Sequence, residues 1–272
     1  MNKFCVPFKR NKTYNNEVKE FNIIYKDNID QLKDFLTFVN PEQRVNIKIE
    51  GGLEKEIVDT FILIKAKHPE TNFALAIKEY AFLGSQAWED LKKANIPFYI
   101  DSFCDNLSAF QLLLNMGVSD ILIGGDLGFS IKDVAEVAKS RNIAVRVICN
   151  LAQAPVGAVK DQITSFFIRP EDVDVYSEYV DTFEILDPKE DNYNIDVIYE
   201  VYANDKKWDG LLNEIILEYY LPTNSTYLIP SFVDRRLNCH KKCAFCKCNL
   251  CYELEKLSST LEEKHLVIKA DA

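Results

Sequence analysis

The sequence predicts an α/β fold: a closed (β/α)8 barrel of the TIM type, followed by a cysteine-rich, metal-binding C-terminal extension. Three observations predict it. Short β-rich runs alternate with stretches of helical periodicity eight times between residues 21 and 205, the pattern of a parallel sheet with helices outside it. A length of 272 residues and a hydrophobic share of 47% suit one barrel with a large core. Five of the eight cysteines crowd into residues 239–251. An open doubly wound sheet is the alternative architecture. No Gly-x-Gly-x-x-Gly follows the first β-rich run, so a dinucleotide site of the Rossmann kind has no support.

Residues 1–20 are polar and uneven and read as an N-terminal extension. Residues 21–25 make the first strand, and Leu32, Phe35, Leu36 and Val39 give a helix over 30–39. The second strand, 44–50, puts Val45, Ile47 and Ile49 on one face and Asn46, Lys48 and Glu50 on the other. Gly51 and Gly52 end it before a helix over 54–67. Strand 72–78 and helix 80–94 form the third unit; strand 97–101 and helix 107–116, stopped by Gly117, form the fourth. Strand 120–124 leads to helix 130–141, with Ser130 placed to cap it and Asp133 in its first turn. Between them, Gly124, Gly125 and Gly128 suit a tight turn or a phosphate cradle.

Strand 144–150 precedes a connection, 151–162, that Pro155 and Gly157 mark as a loop. Residues 163–169 form the seventh strand, and Pro170 with Glu171 and Asp172 starts a helix. Strand 182–187 and helix 195–202 complete the eighth unit. The chain therefore divides into an extension (1–20), the barrel (21–205) and a helical, cysteine-rich segment (206–272). In that last part, 208–220 reads as an amphipathic helix, 227–233 as extended and 252–264 as a polar helix.

A net charge of −10 and a pI near 5.0 make the whole surface unsuited to phosphate backbones. Nucleic acid contact is left only to the basic cysteine segment. Residues 1–10 lack an apolar signal region and carry Pro7, and no apolar run approaches the about 20 residues of a membrane helix. The expectation is a cytoplasmic protein with no membrane contact and reduced thiols, which favours metal over disulfides in the cluster.

The candidate ligands are Cys239, Cys243, Cys246, Cys248 and Cys251. Two Cys-x2-Cys pairs lie one residue apart, too close for a zinc ribbon, so four of the five sulfurs are expected to wrap one centre. Zinc and an iron–sulfur cluster both accept four thiolates and both leave negative charge. Arg235, Arg236, Lys241, Lys242 and Lys247 stand nearby to balance it or to form a solvated face. The Cys-x3-Cys-x2-Cys spacing also occurs in radical S-adenosylmethionine enzymes, but there it follows the first strand of the barrel. Cys5, Cys104 and Cys149 read as isolated buried thiols.

In such barrels chemistry sits where the strands end. Those ends carry Glu50, Lys78, Asp101, Asp126, Asn150, Arg169 and Asp187, with Glu184 inside the last strand. The first six are the candidate catalytic residues, able as a set to bind a polar small molecule and transfer protons.

Residues 97–150 carry a further signal: Asp101-Ser102 at a strand end, a helix to Met116-Gly117, Asp120-Ile-Leu-Ile-Gly-Gly-Asp-Leu-Gly and the strand 144–150. With Phe167-Ile-Arg-Pro-Glu-Asp172 and Asp181-Thr-Phe-Glu-Ile185, this resembles the collagenase-like peptidases of the "U-thirty-two" family. The resemblance implies a barrel, and some members are iron–sulfur proteins that help hydroxylate RNA bases or quinone precursors, while others are described as proteases. The cysteines of that family follow strand six; here 151–162 has none, so its cluster ligands do not carry over. No nucleophile–histidine pair is apparent among His68, His240 and His265. Two functions remain open. One is an enzyme, of hydroxylation type, on a polar small molecule or base, with an iron–sulfur cluster or zinc. The other is a non-catalytic barrel whose cysteine segment docks a protein or RNA through Lys241 and Lys242.

Overall fold

The computed structural model describes residues 4–7, 18–25, 32, 40, 42–49, 53–153, 165–187, 194–204, 207–217, 228, 231–239, 252 and 256. Eight parallel strands close on one another in chain order. They are β1 (Phe4–Pro7), β2 (Val18–Tyr25), β3 (Arg44–Ile49), β4 (Phe73–Ile77), β5 (Phe98–Cys104), β6 (Asp120–Ile123), β7 (Ala144–Ile148) and β8 (Thr182–Glu184). The closure pairs Phe4 with Phe183 and Cys5 with Glu184. The Ile185 N–H extends it by donating to the Cys5 carbonyl at 2.9 Å.

The helices are α1 (Lys55–Lys67), α2 (Gln86–Lys93), α3 (Leu107–Met116), α4 (Gly125–Gly128), α5 (Ile131–Ser140), α6 (Val173–Tyr176), α7 (Ile195–Ala203) and α8 (Phe232–Leu237). Local chemistry fixes their ends. The Asn106 side chain accepts from the Ala109 N–H at 2.9 Å and so starts α3. Gly117, at φ +72°, takes the left-handed turn that stops it. The Ser85 hydroxyl accepts from the Trp88 N–H and starts α2. The expected helix over 80–94 is therefore two pieces, a 3-10 turn at Tyr80–Phe82 and α2. Ser130 precedes α5 as expected but makes no side-chain capping bond.

The apolar core lies between the strands and the helices. Val45, Ile47, Ile49, Phe73, Leu75, Ile77, Val145 and Val147 are all buried on the outer face of the barrel. Phe61 of α1 stacks on Phe73 of β4, ring centroids 6.0 Å apart, and Phe82 meets Phe98 of β5 edge-on at 5.7 Å. Among the described residues no helix is long and apolar enough to cross a membrane.

Four expectations are corrected. Residues 4–7, read as part of an N-terminal extension, are a wall strand with β8 on one side and β2 on the other. The four-residue strand is too short to show periodicity. Of residues 163–169, read as the seventh strand, the described part, 165–169, is not in the wall. Phe166 instead exchanges two 2.9 Å backbone hydrogen bonds with Gln153 in an isolated antiparallel bridge. Phe166, Phe167 and Ile168 are fully buried, so the apolar run reported burial rather than sheet position. Within 208–220, Leu212–Glu214 is a 3-10 turn and Leu217 bridges to Leu151, because the Asn150 and Ala152 backbone groups bond it as an extended residue. Phe232 and Val233, expected to be extended, begin α8. The expected helices over 30–39 and 252–264 lie outside the described residues apart from Leu32, Tyr252 and Lys256.

Replacing Asn106 with Ala removes the cap of α3 and is expected to cost about 1 kcal/mol. Urea denaturation followed by circular dichroism measures it.

Candidate active site in the barrel interior

The outward faces of the strands are apolar, so the alternate residues point inward, and here many of them are charged. Contacts between strands that are not neighbours require it. Arg44 of β3 holds Asp120 of β6 through two hydrogen bonds, of 3.1 and 2.5 Å. Arg146 of β7 donates to Glu20 of β2 in a very short contact and lies 3.5 Å from Asp120 and 3.6 Å from Glu184 of β8. Asn46 and Thr182 also donate to Glu20, at 3.0 and 3.1 Å. The Tyr99 ring lies under the Arg146 guanidinium, 4.8 Å from its centre.

Higher in the barrel, toward the carboxyl ends of the strands, Lys48 of β3 reaches Glu184 at 2.8 Å and Asp101 of β5 at 3.3 Å. Asn22 donates to the same Glu184 oxygen at 2.7 Å. This end of the network meets solvent, as Arg44 does at the amino end: the Lys48 and Asp101 side chains are 17% and 9% exposed, Glu184 not at all.

Burial alone would raise the carboxyl groups of Glu20 and Asp120. Arg146 and Arg44 more than offset this, and both acids sit below the usual carboxylate range. Burial would lower Lys48, but Glu184 and Asp101 hold it above the ordinary lysine value. At Asp101 burial wins: the carboxyl is pushed up, Glu184 adds to the rise, and Lys48 only partly opposes it. Burial also drives Tyr99 well above the phenol range, so its hydroxyl keeps its proton.

Of the six expected catalytic residues, the structure brings one, Asp101, into this interior group. Lys78 is an exposed residue just beyond β4, and Asp126 is half-buried in α4. Asn150 is fully buried and clasps the Leu186 backbone, accepting at 2.8 Å and donating at 3.0 Å, which ties the end of β7 to the chain after β8. Arg169 is not at a strand end; it grips Asp172 at 2.6 and 2.7 Å and stands over the Phe232 ring. Glu50 lies outside the described residues. The reading passed over Glu20, Arg44, Asn46, Lys48, Asp120, Arg146 and Thr182. Their signal is polar residues on alternate positions of strands whose other positions are apolar.

Of the expected metal ligands, Cys243, Cys246, Cys248 and Cys251 lie outside the described residues. Cys239 is a buried free thiol at the end of α8. Among the described residues no three His, Cys, Asp or Glu side chains are grouped to hold a metal. The helix leading to the cysteine segment is firmly seated. Buried Arg236 donates to the Phe167 carbonyl at 3.2 Å and to that of Ser165, and lies over Phe129, Phe167 and Phe232 at 5.3, 4.7 and 4.6 Å. Lys132 donates to Asn238 at 3.0 Å. Phe129 and Lys132 follow β6 and Ser165 and Phe167 follow β7, so α8 docks beyond the carboxyl ends of the strands.

Cys5, Cys104 and Cys149 are buried, and burial pushes all three thiols up, Cys104 to about 12, which leaves them poor nucleophiles. His68, the histidine among the described residues, lies at the end of α1 and pairs with Glu70 at 3.4 Å.

No protein-family model matches the chain. A stretch of 99 residues is 35% identical to an uncharacterized protease of Methanocaldococcus jannaschii. The match covers 34% of this chain and 28% of that relative, so the chain accounts for less than a third of the relative's length. A protease-named relative agrees in outline with the resemblance to collagenase-like peptidases; it does not reach the family itself.

Arg146→Met is expected to strand Glu20, to take a second cation from Asp120 and Glu184, and to cost about 3–5 kcal/mol near neutral pH. Glu20 and Asp120 have lowered folded values, so their contribution is present above the ordinary 4.5 and 3.8 and is lost as pH falls through the folded values. The variant lacks that contribution, so its deficit should shrink below about pH 4.5. Urea midpoints of both proteins at pH 7 and pH 4 measure the difference; a constant gap would mean Arg146 does not set those carboxylates.

Proposed function

We propose that the chain is an enzyme working at the carboxyl-end mouth of the barrel on a polar small molecule or nucleobase, by proton transfer. The observation that carries this is Lys48 held between Asp101 and Glu184 where the interior network meets solvent. A cation between two carboxyl groups of unlike exposure supplies a charge-stabilising group and an acid–base group in one place.

The cysteine-rich segment is part of the same reading. Its five thiols, at 239, 243, 246, 248 and 251, are a donor set suited to an iron–sulfur cluster or to zinc. Such a centre would supply redox or Lewis-acid chemistry. The seating of α8 beyond the strand ends favours a position on the same side as the mouth. The cytoplasm is the compartment proposed, since it keeps such thiols reduced.

Peptide hydrolysis is the second reading, favoured by the name of the M. jannaschii relative. It lacks a described nucleophile: the buried thiols are shifted up and His68 stands away from them on α1.

Two measurements test the proposal. Anaerobically purified protein is expected to carry either iron and sulfide with absorbance near ~400 nm or stoichiometric zinc, and Cys243→Ala to lose it. Full metal content in that variant would remove the ligand assignment. A thermal-shift screen of polar metabolites and nucleosides should give stabilising compounds whose effect disappears in Lys48→Met. Hits that survive in that variant, or cleavage of fluorescent casein by the wild-type protein, would overturn the mouth reading.

A further inference from the structure

Among the described residues of the barrel interior, three cations, Arg44, Lys48 and Arg146, face four carboxyl groups, Glu20, Asp101, Asp120 and Glu184. One carboxyl group has no positive charge of its own. Geometry identifies which. Arg44 is committed to Asp120 through two hydrogen bonds. Arg146 donates to Glu20, which also accepts from Asn46 and Thr182. Lys48 sits 2.8 Å from Glu184, an oxygen that Asn22 also holds, and 3.3 Å from Asp101. Asp101 thus has the longer share of a lysine already engaged, and among the described residues that contact is its side-chain hydrogen bond.

We propose that Asp101 is protonated in the resting protein and is the general acid of the mouth, with Lys48 as the cation that Glu184 holds beside it. The inference rests on the mouth being the reaction site and names the role of each group there. The proton on the Asp101 carboxyl oxygen passes to a heteroatom of the bound substrate, whose bond to it forms as the O–H bond of Asp101 breaks. The Asp101 carboxylate so created lies within reach of Lys48, which closes the 3.3 Å gap and stabilises it. The proton returns from solvent through the same mouth, since Asp101 is the partly exposed acid of the pair.

The charged groups acting on Asp101 are Lys48 from β3, Glu184 from β8 and Arg146 from β7. Among the described residues Tyr99 and Cys5 add to the titratable interior, and burial keeps both neutral. The upward displacement of the Asp101 carboxyl by burial agrees with the charge count.

Carbon-13 NMR of aspartate-labelled protein, with Asp101→Asn to assign the signal, reads the proton directly and needs no substrate. The Asp101 carboxyl should still carry its proton at pH 7, its midpoint lying above that pH rather than near the ordinary aspartate value of 3.8. Lys48→Met, which removes the opposing cation, should move the midpoint further up. Glu184→Gln, which frees Lys48 for Asp101, should move it down. A midpoint below pH 7 in the wild-type protein, or shifts of the opposite sign in the variants, would overturn the assignment. If either variant fails to fold, the wild-type titration alone decides. Because the readout is protonation, a negative result here leaves the ligand screen to judge the mouth itself.

Discussion

The placement of Arg146 inside the barrel is the constraint from which the rest follows. A guanidinium with no solvent exposure is tolerated only where carboxylates surround it, and Glu20, Asp120 and Glu184 come from three different strands to do so. Those strands, β2, β6 and β8, are set around the ring rather than beside one another, so the ion group is a statement of closure. An open sheet has no interior in which these four side chains meet. The Tyr99 ring lies beneath the guanidinium, and the amides of Asn22 and Asn46 donate to the surrounding carboxyl groups of Glu184 and Glu20.

Such an interior is costly in desolvation, of the order of several kcal/mol for each ion, and contributes little net stability even when paired. Stability must come from elsewhere, and the burial map locates it. The continuous apolar shell of strand outer faces against helices, from Phe21 and Val45 through Phe98 to Val147 and Phe183, is almost wholly excluded from water. Barrels of this class commonly pack branched apolar side chains in layers at their centre. Here charge occupies those layers, and the outer shell carries the fold.

The architecture was legible in the sequence because alternation of strand-like and helical runs depends on the outer shell, where the apolar periodicity is strong. Two strands were misplaced for opposite reasons. Phe4–Pro7 is too short for a period to show, and its role is visible only when Cys5 is found paired with both Glu20 and Glu184. Residues 165–168 are apolar throughout, and a continuous apolar run announces burial without naming the partner. The site was less legible. Searching strand ends found Asp101, whereas most of the network lies within strands. The alternation in residues 44–48, with Arg44, Asn46 and Lys48 between apolar neighbours, reports an inward polar face only once the apolar face is known to belong to the helices. Contacts such as Arg44 with Asp120, seventy-six residues apart, leave no trace in local pattern.

The network is not uniform along the barrel axis, and the gradient connects structure to chemistry. At the amino end of the strands Asp120 is saturated, bound twice by Arg44 and once by Ser119. In the middle Glu20 accepts from three side chains. At the carboxyl end Lys48 is divided between two acids, and Asp101 retains a single long contact. A group whose hydrogen bonds are complete has one stable protonation state and no capacity for a ligand. A group left incomplete next to solvent has both. Local departures from full satisfaction are where function is expected in an otherwise consistent fold. In this barrel, among the described residues, the least-bonded interior carboxyl group lies at the end of the strands where substrates enter such folds, above Asp120 and Glu20, which accept more hydrogen bonds.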